Sequence, residues 1–113
     1  MNSREKLLSI KRKEKVIKIE GEKYKIIEMN GIDREDFERS LYKMNKGDMI
    51  YNTVNSKVRL IAYSLFSIDG ERLFDPVKDL VLMNKGLSSS ILSYIFDEAT
   101  RMNKLNPEVE EKN

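Results

Sequence analysis

From Glu14 the chain reads VIKIEGEKYKIIEM after a lysine, two runs in which apolar and charged positions alternate around Gly21. That period of two predicts a β-hairpin, with Gly21-Glu22 as a two-residue loop and glycine at the first loop position suiting a type II′ turn. The register then sets Glu20 opposite Lys23, Ile19 opposite Tyr24, Lys18 opposite Lys25 and Ile17 opposite Ile26. Ile17, Ile19, Tyr24 and Ile26 share one face, and the Lys18/Lys25 pair lies on the wetter one. A lone hairpin is marginal in water, so the apolar face must cover something, and the helices that follow are the candidates.

Beyond Asn30-Gly31 the period changes. Asp33 with Asp36 resembles a capping box, so a helix is expected to begin near Arg34, with Phe37, Leu41 and Met44 on one stripe and Gly47 as its stop. Asp48 to Thr53 is a connector of undetermined shape. A central core helix is expected next, with Val54, Val58, Ile61, Ala62, Leu65 and Phe66 on a broad face and Ser56 and Arg59 directed elsewhere. Asp69-Gly70 marks its end, in a tight turn whose Leu73 and Phe74 return to the core. Asp75-Pro76 signals a short helix carrying Val77, Leu80 and Val81 and closed by Asn84-Lys85-Gly86. Ser88 can cap the final helix, with Leu87 and Leu92 as a hydrophobic staple and Ile91, Leu92, Ile95, Phe96, Ala99 and Met102 along one side.

These elements predict an α+β fold, an N-terminal β-hairpin followed by a small bundle of about four α-helices. At 113 residues the length fits one domain, placed at 14–106. Residues 107–113 are expected to form a disordered acidic tail, and residues 1–13 a basic arm in which Leu7, Leu8 and Ile10 are too few to decide between a frayed helix and a docking segment. Charge sharpens that division. Residues 1–25 hold nine Lys/Arg against four Glu, while the rest of the chain is net negative. A block such as Lys11-Arg12-Lys13-Glu14-Lys15 could meet phosphates or an acidic surface, but no aromatics are interleaved with it to stack on bases, so nucleic-acid binding is the weaker reading and a solvated arm the plainer one.

Candidate chemistry is sparse. Cysteine and histidine are both absent, which excludes disulfides, thiolate metal sites and the side chain most used for acid/base work at neutral pH. The spacing of Asp33, Glu35 and Asp36 does not match an oxygen-ligand cation loop, and acids at a helix start account for them. No glycine pattern cradles a phosphate, and Ser88, Ser89 and Ser90 have no base beside them and read as caps. No catalytic group, metal ligand or cofactor is therefore assigned. No apolar run approaches the roughly 20 residues of a membrane helix, and no signal-peptide core follows Met1, so neither membrane insertion nor secretion by these routes is expected.

One order of parts resembles a known family. The hairpin KVIKIEGEKYKIIEM, the helix start Asp33-Arg34-Glu35-Asp36-Phe37, the core segment VRLIAYSLFSIDGERLF with its Leu-Phe turn, and the Ser-started closing segment LSSSILSYIFDEATRMNKLN are similar to the tail assembly chaperones of long-tailed bacteriophages and prophages, over roughly Lys15 to Asn106. The resemblance implies a non-enzymatic factor of the host cell cytoplasm that binds the tape measure protein, keeps it soluble, recruits the major tail tube protein and is absent from the mature virion. A homo-oligomer would suit such a role, since many copies with weak apolar contacts gain avidity along a long client. Tyr63, Met83, Tyr94 and Met102 are the adaptable or amphipathic side chains that could meet that client. The rival readings are a structural tail or baseplate component retained in the virion and a small nucleic-acid-associated phage protein using the basic N-terminus.

Overall fold

The computed structural model describes residues 2–105 and contains five helices and five strands. In chain order these are α1 (Ser3–Ser9), β1 (Glu14–Ile19), β2 (Glu22–Ile27), α2 (Gly31–Ser40), β3 (Tyr42–Asn45), β4 (Asp48–Tyr51), α3 (Ser56–Ser64), β5 (Leu65–Ser67), α4 (Leu80–Gly86) and α5 (Ser89–Met102). The architecture is α+β and opens its sheet with a β-hairpin, as the alternation predicts, but it has five helices rather than four and two antiparallel sheets rather than one. The acidic tail expected at 107–113 lies outside the described residues.

The first sheet has the order β1-β2-β5. Its hairpin turns at Glu20-Gly21, both with positive φ (49° and 83°), the signature of a type I′ turn rather than II′. Ile19 consequently pairs with Glu22, Lys18 with Lys23, Ile17 with Tyr24 and Val16 with Lys25. Each partner stands two residues from the expected one. Because strand side chains alternate with a period of two, that even slip leaves the faces intact. Ile17 and Ile26 are buried, and Ile19 and Tyr24 pack against the same core.

The second hairpin was not expected. The helix that should have run to Met44 stops at Ser40, and Tyr42 to Tyr51 folds back as β3 and β4 around Lys46-Gly47, again with both φ positive (54° and 85°). The helix also starts earlier than Arg34. Asn30 is its N-cap, accepting from the Asp33 N–H at 2.8 Å, and Asp33 sits within the first turn.

A third departure lies at the end of the core helix. α3 gives way after Ser64 to β5, which pairs antiparallel with β2 through Ile26↔Leu65, Lys25↔Phe66 and Tyr24↔Ser67. The run Leu60 to Phe66 is buried without interruption, and one helical face cannot bury seven consecutive residues. As a strand, Leu65 enters the core and Phe66 the opposite sheet face. The change frees the Ala62 carbonyl from its helical partner, and the Arg72 guanidinium replaces it: Nη1 donates to Ala62 O at 2.6 Å and Nη2 to Asp33 Oδ2 at 3.1 Å, while the cation lies over the Phe66 and Tyr63 rings. Val54, expected on the core helix, is exposed ahead of it, and Leu73 is 38% exposed and outside the core while Phe74 packs on it.

The Asp75-Pro76 signal opens a turn before it opens a helix. The Asp75 carboxylate accepts from the N–H groups of Val77 and Lys78, each at 2.8 Å, and α4 begins at Leu80. Ser88 caps α5 as expected, its hydroxyl accepting from the Ile91 N–H at 3.3 Å. α5 packs on α3 and β2, α3 also meets α2 and α4, and the core of Ile17, Ile26, Phe37, Val58, Ile61, Leu65, Met83 and Ile95 lies between sheet and helices.

Asn103, the C-cap of α5, is buried and ties these layers together. Its Oδ1 accepts from the Met29 N–H at 2.8 Å, its Nδ2 donates to Ser64 Oγ at 3.0 Å and to Ala99 O at 2.9 Å, and its backbone carbonyl accepts from Arg34 Nη1 at 3.0 Å. Asn103→Ala leaves the Met29 N–H and the Ser64 hydroxyl buried without these partners and should cost roughly 2–3 kcal/mol of stability in denaturant titrations. An unchanged midpoint would show that the side chain holds nothing together.

Candidate functional site

Among the described residues no group of three acidic, His or Cys side chains is placed to hold a metal, and no helix is long and apolar enough to cross a membrane. What the surface does present is apolar side chains on short elements. The unforeseen β3–β4 ribbon is the clearest case. Its sequence, YKMNKGDMIY, is nearly palindromic about Lys46-Gly47, and the register pairs Tyr42 with Tyr51 and Met44 with Met49 on one face. The two tyrosine rings meet edge to face at 5.4 Å. Met44 and Met49 are 64% and 68% exposed.

Beside them, Glu38 and Arg39 of α2 and Tyr42, Lys43, Met44 and Met49 of the ribbon line a shallow cleft of about 430 Å³. Thioethers at an exposed surface adapt to differently shaped apolar partners, and the charged rim leaves such a face soluble. Sequence reasoning missed these residues because Phe37, Leu41 and Met44 also satisfy a helical period. The signal that separates the two readings is the mirrored Tyr-x-Met and Met-x-Tyr about a Lys-Gly turn.

Of the four side chains singled out from the sequence, three belong to the core or pack against it. Met83 is 1% exposed, Tyr63 is buried edge-on to Phe37 at 6.4 Å, and Met102 is half-buried against the core cluster. Tyr94, 41% exposed on α5, stands outside that cluster. Burial raises the Tyr63 phenol above its ordinary value, and the nearby Asp36 and Asp33 carboxylates push it the same way.

The basic N-terminal segment is tied to the sheet at its base. Arg12 Nη1 donates to Glu28 O, and the Lys13 N–H donates to the Glu28 carboxylate, both at 3.2 Å. α1 itself buries nothing: Leu7, Leu8 and Ile10 are all exposed. The nearby electrostatic feature that does reach the core is Glu98. Its carboxylate, 7% exposed, bridges Lys15 Nζ of β1 at 2.7 Å and the Arg101 guanidinium of its own helix. The Lys15 hydrogen bond, with Arg101 assisting, holds the Glu98 carboxyl below the ordinary glutamate value in spite of burial.

The arrangement defines a small α+β domain in which a three-stranded antiparallel sheet is backed by helices and a separate two-stranded ribbon carries a pair of exposed methionines. No family model matches the chain, and no curated protein matches it. Its structure is similar to that of the bacteriophage HK97 tail assembly chaperone, with a TM-score of 0.62 over 88% of this chain and 96% of that one, at 15% sequence identity. At that identity the likeness is one of fold, and the fold is the one that the sequence resemblance implies.

Glu98 supplies a test of the site's electrostatics. A carboxyl whose value is lowered by folding contributes stability that is fully present above its unfolded value, about 4.5, and is lost as the pH falls through the folded one. Glu98→Gln should therefore lower stability at pH 7 by about 1 kcal/mol, because both cationic partners are largely exposed. Its deficit should shrink in melts taken near pH 3. An equal deficit at both pH values would trace the loss to packing instead.

Proposed function

We propose that this chain is a tail assembly chaperone of a long-tailed phage or prophage. In this reading it binds the tape measure protein in the host cytoplasm, keeps that protein's long apolar helices soluble, recruits tail tube subunits and leaves before the virion is complete. The observation that carries the reading is the fold, shared with the HK97 tail assembly chaperone over nearly the whole of both chains. The role needs accessible apolar surface and no reactive group, and the Met44/Met49 ribbon supplies that surface. Tyr94 is a further exposed amphipathic group, on α5, while Tyr63, Met83 and Met102 are buried in the core or packed against it.

Co-expression tests the reading. Tape measure protein should be recovered soluble in the presence of this chain and insoluble without it, and the complex should persist in salt that screens contacts between exposed charges. Met44→Ser combined with Met49→Ser should reduce the soluble yield severalfold. The same pair should alter the chain's own stability by no more than about 0.5 kcal/mol, since both side chains are exposed. A client that stays insoluble with the chain present would remove the chaperone role, and detection of the chain in purified particles would favour a retained tail component.

A further inference from the structure

Between α2, α3 and the turn before α4 lies a second cleft, of about 350 Å³, with a different character from the methionine face. Arg59 and Tyr63 project from α3 one turn apart, on the same side of the helix. Asp36 and Arg39 come from α2, and Pro76 and Val77 from the turn. Two of the three nearby arginines are already matched: Arg39 pairs with Asp36 at 3.2 Å and Arg72 with Asp33 at 3.1 Å. Arg59 is not. Its Nη1 is shut off from solvent and has no hydrogen-bond partner among the described residues. The side chain as a whole is only half-buried and lines the cleft, so an acceptor entering there meets the guanidinium and can take a charge-assisted hydrogen bond from it. Val77, 77% exposed at the rim, adds an apolar contact beside it.

We propose that this cleft is a binding site for a carboxylate, the Asp or Glu side chain of an acidic peptide segment, seated on Arg59 with the Tyr63 hydroxyl as second donor. The ion pairs select the ligand. Asp36 and Asp33 hold Arg39 and Arg72, which leaves Arg59 as the one of the three arginines with no ion pair among the described residues, and a single guanidinium suits a singly charged carboxylate better than a dianionic phosphate. Carboxylates are the partners to which a guanidinium fork presents paired donors. An apolar residue beside the acid in the peptide packs against Val77 and Pro76. The cleft takes this ligand whichever protein carries it, so its failure leaves the assembly role untouched.

The experiment titrates the full chain, labelled for NMR, with an N-acetylated, C-amidated pentapeptide carrying one Glu between leucines and with its Gln twin. The Glu peptide should shift the Arg59 side-chain Nε–H and the amides of α2 and α3 that face the cleft, and the Gln twin should bind about tenfold or more weakly. Arg59→Gln should bring the Glu peptide down to the level of its twin. If that variant melts early, Tyr63→Phe, which keeps the ring and removes only the hydroxyl, should weaken the Glu peptide severalfold and leave the Gln twin unaffected. Equal binding of the two peptides, shifts that map elsewhere, or no shift at millimolar peptide would overturn the site. Tighter binding of a phosphoserine twin would overturn its assignment to a carboxylate.

Discussion

At Asn103 four stretches of chain separated by up to 74 residues meet at one buried residue. The segment between β2 and α2 at Met29, the junction of α3 with β5, the last turn of α5 and the Arg34 side chain of α2 all terminate hydrogen bonds there. Apolar burial would hold sheet and helices together without it, but apolar contacts are non-directional and fix no register. A buried carboxamide with an acceptor and two donors in use admits one relative position of its partners. Arg72 performs the complementary task on the other side of α3, converting the helix-to-strand change at Leu65 from a backbone liability into a three-way contact among α2, α3 and the β5 turn.

How much of this the sequence discloses depends on whether a local pattern has one structural solution or two. The first hairpin was legible because alternation fixes faces even when the turn is misassigned: a I′ turn at Glu20-Gly21 in place of a II′ turn at Gly21-Glu22 moves each partner by two residues and exposes nothing. Ser88 was legible because a hydroxyl before an amphipathic run has one common use. The strands Tyr42–Asn45 and Leu65–Ser67 each continue a helical period from the helix before them, and only tertiary pairing with β2, or the mirrored turn at Lys46-Gly47, separates the solutions. Met44, placed in the core by periodicity, is instead the tip of the exposed face.

The candidate site was less legible than the fold for a related reason. Tyr63, Met83, Tyr94 and Met102 were singled out by side-chain character, and character does not report depth; the helices that carry Met83 and Tyr63 turn those residues inward. The mirrored pattern about Lys46-Gly47 marks the ribbon's strands but not the exposure of its methionines, and the unmatched Arg59 carries no motif, since each matters through what the fold leaves uncovered beside it. The likeness to the HK97 tail assembly chaperone accordingly concerns the scaffold, and it is consistent that the scaffold was the part that residue order could resemble.

The β3–β4 ribbon has a kinetic implication. Two strands on their own are marginally stable in water, and every residue from 42 to 49 is exposed. Its tie to the body is at the base, where the Asn52 N–H donates to Leu41 O and Tyr51 packs inward. None of the Asn103 or Arg72 contacts passes through it. Opening of the ribbon therefore draws on a small local free energy rather than the global one, so its amides belong to the fast-exchanging end of the molecule while β2, α3 and α5 belong to the slow end. A surface built this way can reshape around a partner many times during the life of a single folded core.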